Sequence, residues 1–146
     1  MGSAQSLRTD EDEVLTANRA FFQALESLDL VKMEAIWWHE DWVQSLHPGW
    51  DLIVGWDEVR ESWANIFRST LRMRVAISHP LVHVVGDAAW VVCRQELTYT
   101  SEEGFTTAIV DAVNIFVRRN DVWRMALHHA ARNPPNQFPT WSSSLT

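Results

Sequence analysis

A single cysteine, Cys93, is the whole thiol inventory of this 146-residue chain, so no disulfide can form within it. Positive charge is also short. Twelve Lys and Arg stand against 19 Asp and Glu, a formal net charge of -7. The basic residues are scattered, and without a basic face the chain is a poor match for nucleic-acid phosphates. The same charge mildly disfavours anionic substrates. No charge-free apolar run approaches the roughly 18 residues of a membrane span. Met1-Gly2-Ser3 leads into polar residues rather than a basic and then apolar stretch, so no signal peptide is expected. These absences point to a soluble, cytoplasmic protein with neither membrane nor nucleic acid as partner. No helical His-x-x-x-His and no paired-cysteine spacing occurs, so no metal ligand set and no cofactor is assigned.

Tryptophan is abundant instead. Five of the nine lie between Trp37 and Trp56, with two of the six histidines and the phrase Leu46-His47-Pro48-Gly49-Trp50. Indole is bulky and needs a partner for its N–H when buried. Such density around one histidine suggests an aromatic-walled cavity with a polar group inside; a core built from large residues is the alternative. The six tryptophans 37, 38, 42, 50, 56 and 63 cannot all share one pocket. Trp37 and Trp63 suit helix-face core positions, whereas Trp50 and Trp56 suit the cavity mouth.

Apolar content of 47% and a length near the modal domain size allow one sizeable core. The pattern divides the chain into residues 1–8 as a flexible start, one domain over 9–132, and a Pro- and Ser-rich irregular tail over 133–146. Thr9 and Asp10 to Glu13 open a helix whose stripe is Val14, Ala17, Phe21, Leu25 and Leu28. Asp29 caps a shorter second helix with Met33, Ile36 and Trp37 inward. Residues 42–47 alternate as a strand closed by His47-Pro48-Gly49. Leu52-Ile53-Val54 is a brief second strand, and Asp57 is the expected cap of a third helix carrying Val59, Trp63, Ile66 and Thr70.

Turn signals at Gly86-Asp87, Glu103-Gly104 and Asn120-Asp121 then separate four long strands, about 73–85, 88–99, 105–118 and 123–131. Pro80 marks a bulge or an edge in the first. The fold class is α+β: three N-terminal helices on a strongly curved antiparallel sheet of strands of mixed length, a cone-shaped, cystatin-like roll. Ala108-Ile109-Val110 and Val113 to Val117 are apolar on both faces, so a second subunit is expected over the outer face, making a homodimer.

This order of elements resembles the nuclear transport factor 2-like superfamily over about residues 12 to 132. Ala20-Phe21-Phe22-Gln23-Ala24-Leu25 with Leu28-Asp29-Leu30 resembles its opening helices. His47-Pro48-Gly49 followed by Gly55-Trp56-Asp57-Glu58-Val59-Arg60 resembles its passage into the third helix. Asn114 to Arg119, through Val122-Trp123-Arg124-Met125 to His128-His129, resembles the closing hairpin of SnoaL-like members. The superfamily includes isomerases, cyclases, hydratases and hydrolases, and also transport or assembly domains without chemistry, so the fold alone assigns no activity.

In its ketosteroid isomerase branch, an Asp-Pro ends the first strand and supplies the general base; His47-Pro48 stands there in this chain. Neutral histidine in an apolar pocket is an acceptable base. The branch's oxyanion-donating acid matches Asn114, whose amide can also donate. Its donor tyrosine falls at Phe21, which cannot donate, and this departure argues against steroid isomerisation in its usual form. The resemblance therefore implies His47 and Asn114 as catalytic candidates. Phe21, Trp38, Trp50, Trp56, Asp111, His128 and His129 are the candidate pocket wall. Adjacent strand residues face opposite ways, so only one of His128 and His129 can join the pocket. By the same parity Asp111 opposes Asn114 and has Arg94 or Arg124 as a candidate partner at the dimer face.

The expected activity is binding of a small apolar or aromatic molecule, with cofactor-free isomerisation, cyclisation or hydration if the protein is an enzyme. The rival is a non-catalytic association or ligand-binding domain. A histidine-ligated metal enzyme drawing on one of His128 and His129 alongside His39, Asp41 and His47 is the third reading.

Overall fold

The computed structural model describes residues 8–133. The flexible start and the irregular tail expected from the sequence lie outside them, apart from residues 8 and 133. Helix α1 spans Asp10–Ser27. Thr9 closes a reciprocal capping box with Asp12, and four acidic residues occupy the first turn, where the helix dipole favours them. Leu28 ends the helix in the left-handed conformation. Asp29 then accepts from the N–H groups of Val31 and Lys32 and starts α2, Leu30–Ile36.

Strands β1 (Gln44–Leu46) and β2 (Ile53–Val54) flank the turn at His47 to Trp50, where the Trp50 N–H donates to the His47 carbonyl. Proline holds the first corner and Gly49, at φ 82°, takes the second, which a residue with a side chain would strain. Helix α3 is Trp56–Ser69. Its N-cap is Gly55, not the expected Asp57, which lies in the first turn. The Gly55 N–H reaches the Val43 carbonyl and the Trp56 N–H reaches the Glu40 carbonyl, so tertiary bonds start the helix two residues early.

Four long strands follow: β3 (Arg72–Val85), β4 (Ala88–Ser101), β5 (Gly104–Arg119) and β6 (Val122–Asn133). The sheet order is β2-β1-β6-β5-β4-β3. Every pairing is antiparallel except β1 with β6, which is parallel, so the sheet is mixed where the sequence suggested an antiparallel one. That contact joins residues about 80 positions apart and leaves no local signal.

The helices cover one face of the sheet. The core between them includes Val14, Phe21, Met33, Trp37, Val59, Trp63, Val91, Val110, Phe116 and Met125. β3 is an edge, and its pairing with β4 shifts register between Ser78 and Leu81, around Pro80. The opposite sheet face carries Trp90, Val92 and Ile109, each about 40% exposed in the single chain. Among the described residues no helix is long and apolar enough to cross a membrane.

Candidate functional site

A second register shift decides the chemistry of the fold. In β6 it falls beside Ala126, between the pairs Ile115–Leu127 and Phe116–Met125. Before it, Trp123 and Met125 face the core; after it, His128 and Ala130 do. A bulge inserts one residue and so reverses the alternation of everything beyond it. It therefore turns His128 inward and His129 out to solvent. An unbroken strand would have done the opposite.

His128 opens onto a cavity of about 430 Å³ between the sheet and helices α1 and α3. The walls are mostly apolar, with Leu25, Ile66, Met73, Leu97 and Val110 among them. His47 enters from the end of β1, held by Trp63 edge-on at 4.4 Å and by Trp50 at 5.1 Å between ring centroids. The rings of His47 and His128 are 6.0 Å apart. Phe21, fully buried, packs its ring 4.8 Å from that of His128 and does not itself line the cavity.

Hydrogen bonds fix the tautomer of each ring. The Ser62 hydroxyl donates to the Val59 carbonyl at 2.6 Å, so its oxygen accepts from Nε2–H of His47 at 2.9 Å. Asn114 Oδ1 accepts from Nδ1–H of His128 at 2.6 Å, and the Asn114 amide donates to Asn18 Oδ1 at 2.8 Å. No hydrogen bond among the described residues engages His47 Nδ1 or His128 Nε2. Each imidazole therefore keeps one lone pair unspent.

Burial makes both rings reluctant to charge. It lowers the His47 pKa from 6.5 to about 4. The His128 pKa is held well below its ordinary value, first by burial and then by His47 and His129. At neutral pH the cavity presents two uncharged proton acceptors. Burial also pushes up the pKa of the Cys93 thiol.

The candidate residues thus divide. His47, Trp50 and His128 line the cavity, with Phe21 behind them. Asn114 is fully buried, but its amide is spent on Asn18 and His128, so it positions a histidine rather than facing a ligand. Trp38 is outside: its Nε1–H donates to the Val117 carbonyl at 2.8 Å, and Arg119 and Arg124 stack on its ring. Trp56 is also outside, stacked on His39 at 4.3 Å. Asp111 is on the exposed sheet face, paired with Arg94 at 2.9 Å, as strand parity requires. His129 faces solvent. With His39 stacked on Trp56, the residues considered for a metal do not converge; among the described residues no three His, Cys, Asp or Glu side chains do.

Four positions of the cavity and its hydrogen-bond network escaped the sequence reading. Asn18 and Ser62 are polar residues on otherwise apolar helix faces, a pattern that marks a buried network. Gln95 and Arg132 occupy inward parity on β4 and β6, and both line the cavity. Gln95 is 3% exposed, and among the described residues neither its Oε1 nor Nε1 of cavity-lining Trp63 has a partner. Buried polar atoms without partners are uncommon.

The cavity sits in a framework shared with solved structures. A candidate dehydratase of the nuclear transport factor 2-like family from Streptomyces avermitilis is 30% identical, with a TM-score of 0.79 over 86% of this chain and 96% of that one. A candidate calcium/calmodulin-dependent protein kinase type II association domain from Thiobacillus denitrificans is 28% identical, with a TM-score of 0.73 over 82% and 94%. F-box protein SKIP8 of Arabidopsis thaliana is 25% identical over 118 residues, 81% of this chain. The chain spans about half that protein's length (48%). Residues 14–133 match the SnoaL-like domain, which covers most of the chain, every strand and both cavity histidines, and the protein belongs to that family.

Proposed function

We propose that the protein binds a small, largely apolar or aromatic organic molecule in this cavity and moves a proton on it without a cofactor. The observation that carries the reading is the pair of neutral imidazoles, each anchored through one nitrogen and unspent at the other, inside an apolar chamber. His47 is the acid/base. Nδ1 takes a proton from the substrate, Ser62 Oγ keeps its contact with Nε2–H as the ring becomes charged, and the low pKa returns the proton readily. Because a base of that pKa is weak, the proton it takes must be acidified by a neighbouring carbonyl or enone. Isomerisation, cyclisation and hydration or dehydration all meet that condition. A candidate dehydratase among the similar structures agrees with it.

A homodimer in the cytoplasm is the form proposed to act, with the apolar outer sheet face as the contact. A non-catalytic association domain is the second reading, favoured by that exposed face and by the similarity to a candidate association domain.

The test is a thermal-shift panel of cyclic enones, hydroxy ketones and aromatic ring compounds on wild type and His47→Gln, followed by NMR in D2O of whichever compound binds. Deuterium entry or conversion in wild type, lost in a folded variant that still binds, supports proton transfer. Binding without exchange or conversion refutes catalysis and leaves a ligand-binding module.

A further inference from the structure

The cavity has a second polar end, and resting on the ligand-binding reading above, it indicates what kind of molecule fits. Among the described residues, Arg132 is the only formally charged side chain lining the cavity, with no carboxylate and no lysine beside it there. None of the ion pairs among the described residues involves Arg132. The register places Gln95 opposite Val110 and Val110 opposite Arg132. The backbones of Gln95 and Arg132 are thus two strand spacings apart, about 10 Å, with one valine between them. Both side chains face inward and are long enough to lean over Val110 towards one shared group.

Gln95 adds an independent sign. It is almost wholly buried, and no group among the described residues holds its Oε1. No hydrogen bond among the described residues holds the Gln95 amide at either end, so a half-turn of its terminal torsion exchanges Oε1 for the N–H group and presents a donor to a ligand acceptor. His128 lies on the same face of β6, four residues from Arg132, about 13 Å along an extended strand. Between the two ends the wall is apolar, including Ala130, Val110 and Ala108.

We infer that Arg132 and Gln95 form a carboxylate subsite at the cavity mouth, so that the ligand is an elongated apolar or aromatic carboxylic acid whose far end meets His47 and His128. The planar guanidinium fork matches a carboxylate, and Gln95 supplies a further donor. The acidic surface of the chain as a whole argues mildly against anions. A charge-assisted bond at the mouth outweighs that diffuse effect, because distant surface charge is screened within about 10 Å at ordinary salt.

The experiment is calorimetric titration of ω-phenylalkanoates from 3-phenylpropionate to 6-phenylhexanoate, and of the primary alcohols of equal length, into wild type, Arg132→Gln and Gln95→Leu. Arg132 is exposed, so its variant tests binding on an intact fold. Wild type is expected to hold the acids roughly tenfold or more tighter than the alcohols. Arg132→Gln is expected to erase that gap without changing alcohol affinity, and Gln95→Leu to narrow it. Alcohols and acids bound equally by wild type, or a gap that survives Arg132→Gln, would overturn the carboxylate subsite and leave the cavity reading standing. If neither series binds wild type, both readings fall.

Discussion

Acidification offers the sharpest test of the buried histidines. In the unfolded chain His47 titrates near 6.5, and in the folded protein near 4. As pH falls the unfolded state takes the proton first, so acid favours unfolding. Above about pH 6.5 neither state is protonated and the folded protein keeps its full stability. Between pH 6.5 and 4 stability drains away at about 1.4 kcal/mol for each pH unit, and below pH 4 this loss stops growing. The full contribution of His47 is about 3 kcal/mol, a large part of the 5–15 kcal/mol that holds an ordinary domain together. His128 acts in the same direction.

The perturbation is His47→Gln, which keeps a hydrogen-bonding side chain and removes the titration. Urea unfolding of both proteins at half-unit steps from pH 7.5 to 3.5 gives two stability curves. The offset at pH 7.5 reports whatever packing the substitution costs. The informative quantity is the change in their separation, which should shift by about 3 kcal/mol in favour of the variant by pH 4. Carboxylates titrate alike in both proteins and cancel. Parallel curves would refute the buried, uncharged His47 described above, as would a His47 ring resonance whose NMR midpoint falls near 6.5.

Two further substitutions probe what holds the site. Asn114→Ala strips a partner from His128 Nδ1–H and from Asn18 Oδ1 and should cost about 2–4 kcal/mol in chemical denaturation; a loss below about 1 kcal/mol would show that the network is not closed as drawn. Gly55→Ala should cost about 1–3 kcal/mol through backbone strain alone. The nearest atom to an added Cβ is 3.7 Å away while φ is 92°, so an unchanged melting temperature would mean that the entry to α3 relaxes.

What the sequence made legible follows from local physics. The stripe from Val14 to Leu25 packs as expected, and the long hairpins turn where Gly86, Gly104 and the Asn120-Asp121 pair permit positive φ. Strand parity separated Asp111 from Asn114 correctly, and His47 falls where Pro48 and Gly49 end β1. The misses were non-local. Nothing near His128 reveals that one residue bulges at Ala126, yet that residue chooses which histidine enters the cavity. Trp38 and Trp56 were expected at the pocket wall, Trp56 from its place in the loop after the strand, whereas Arg119, Arg124 and His39 claim their rings from elsewhere in the chain. Asn114 was expected inside the fold, but its partner was not legible, because Asn18 lies 96 residues away.

The irregularity around Pro80 also bears on how copies of this chain can meet. β3 is the long open rim of the sheet, and an extended rim with free N–H and C=O groups is a template for adding foreign strands. Here the template is broken near its middle: proline offers no N–H, His79 sits at φ 55°, and the ladder slips by a residue. The opposite rim, β2, is two residues long. Fibre-like growth by strand addition is blunted at both ends, and crowding or heating should drive molecules together through their broad faces instead.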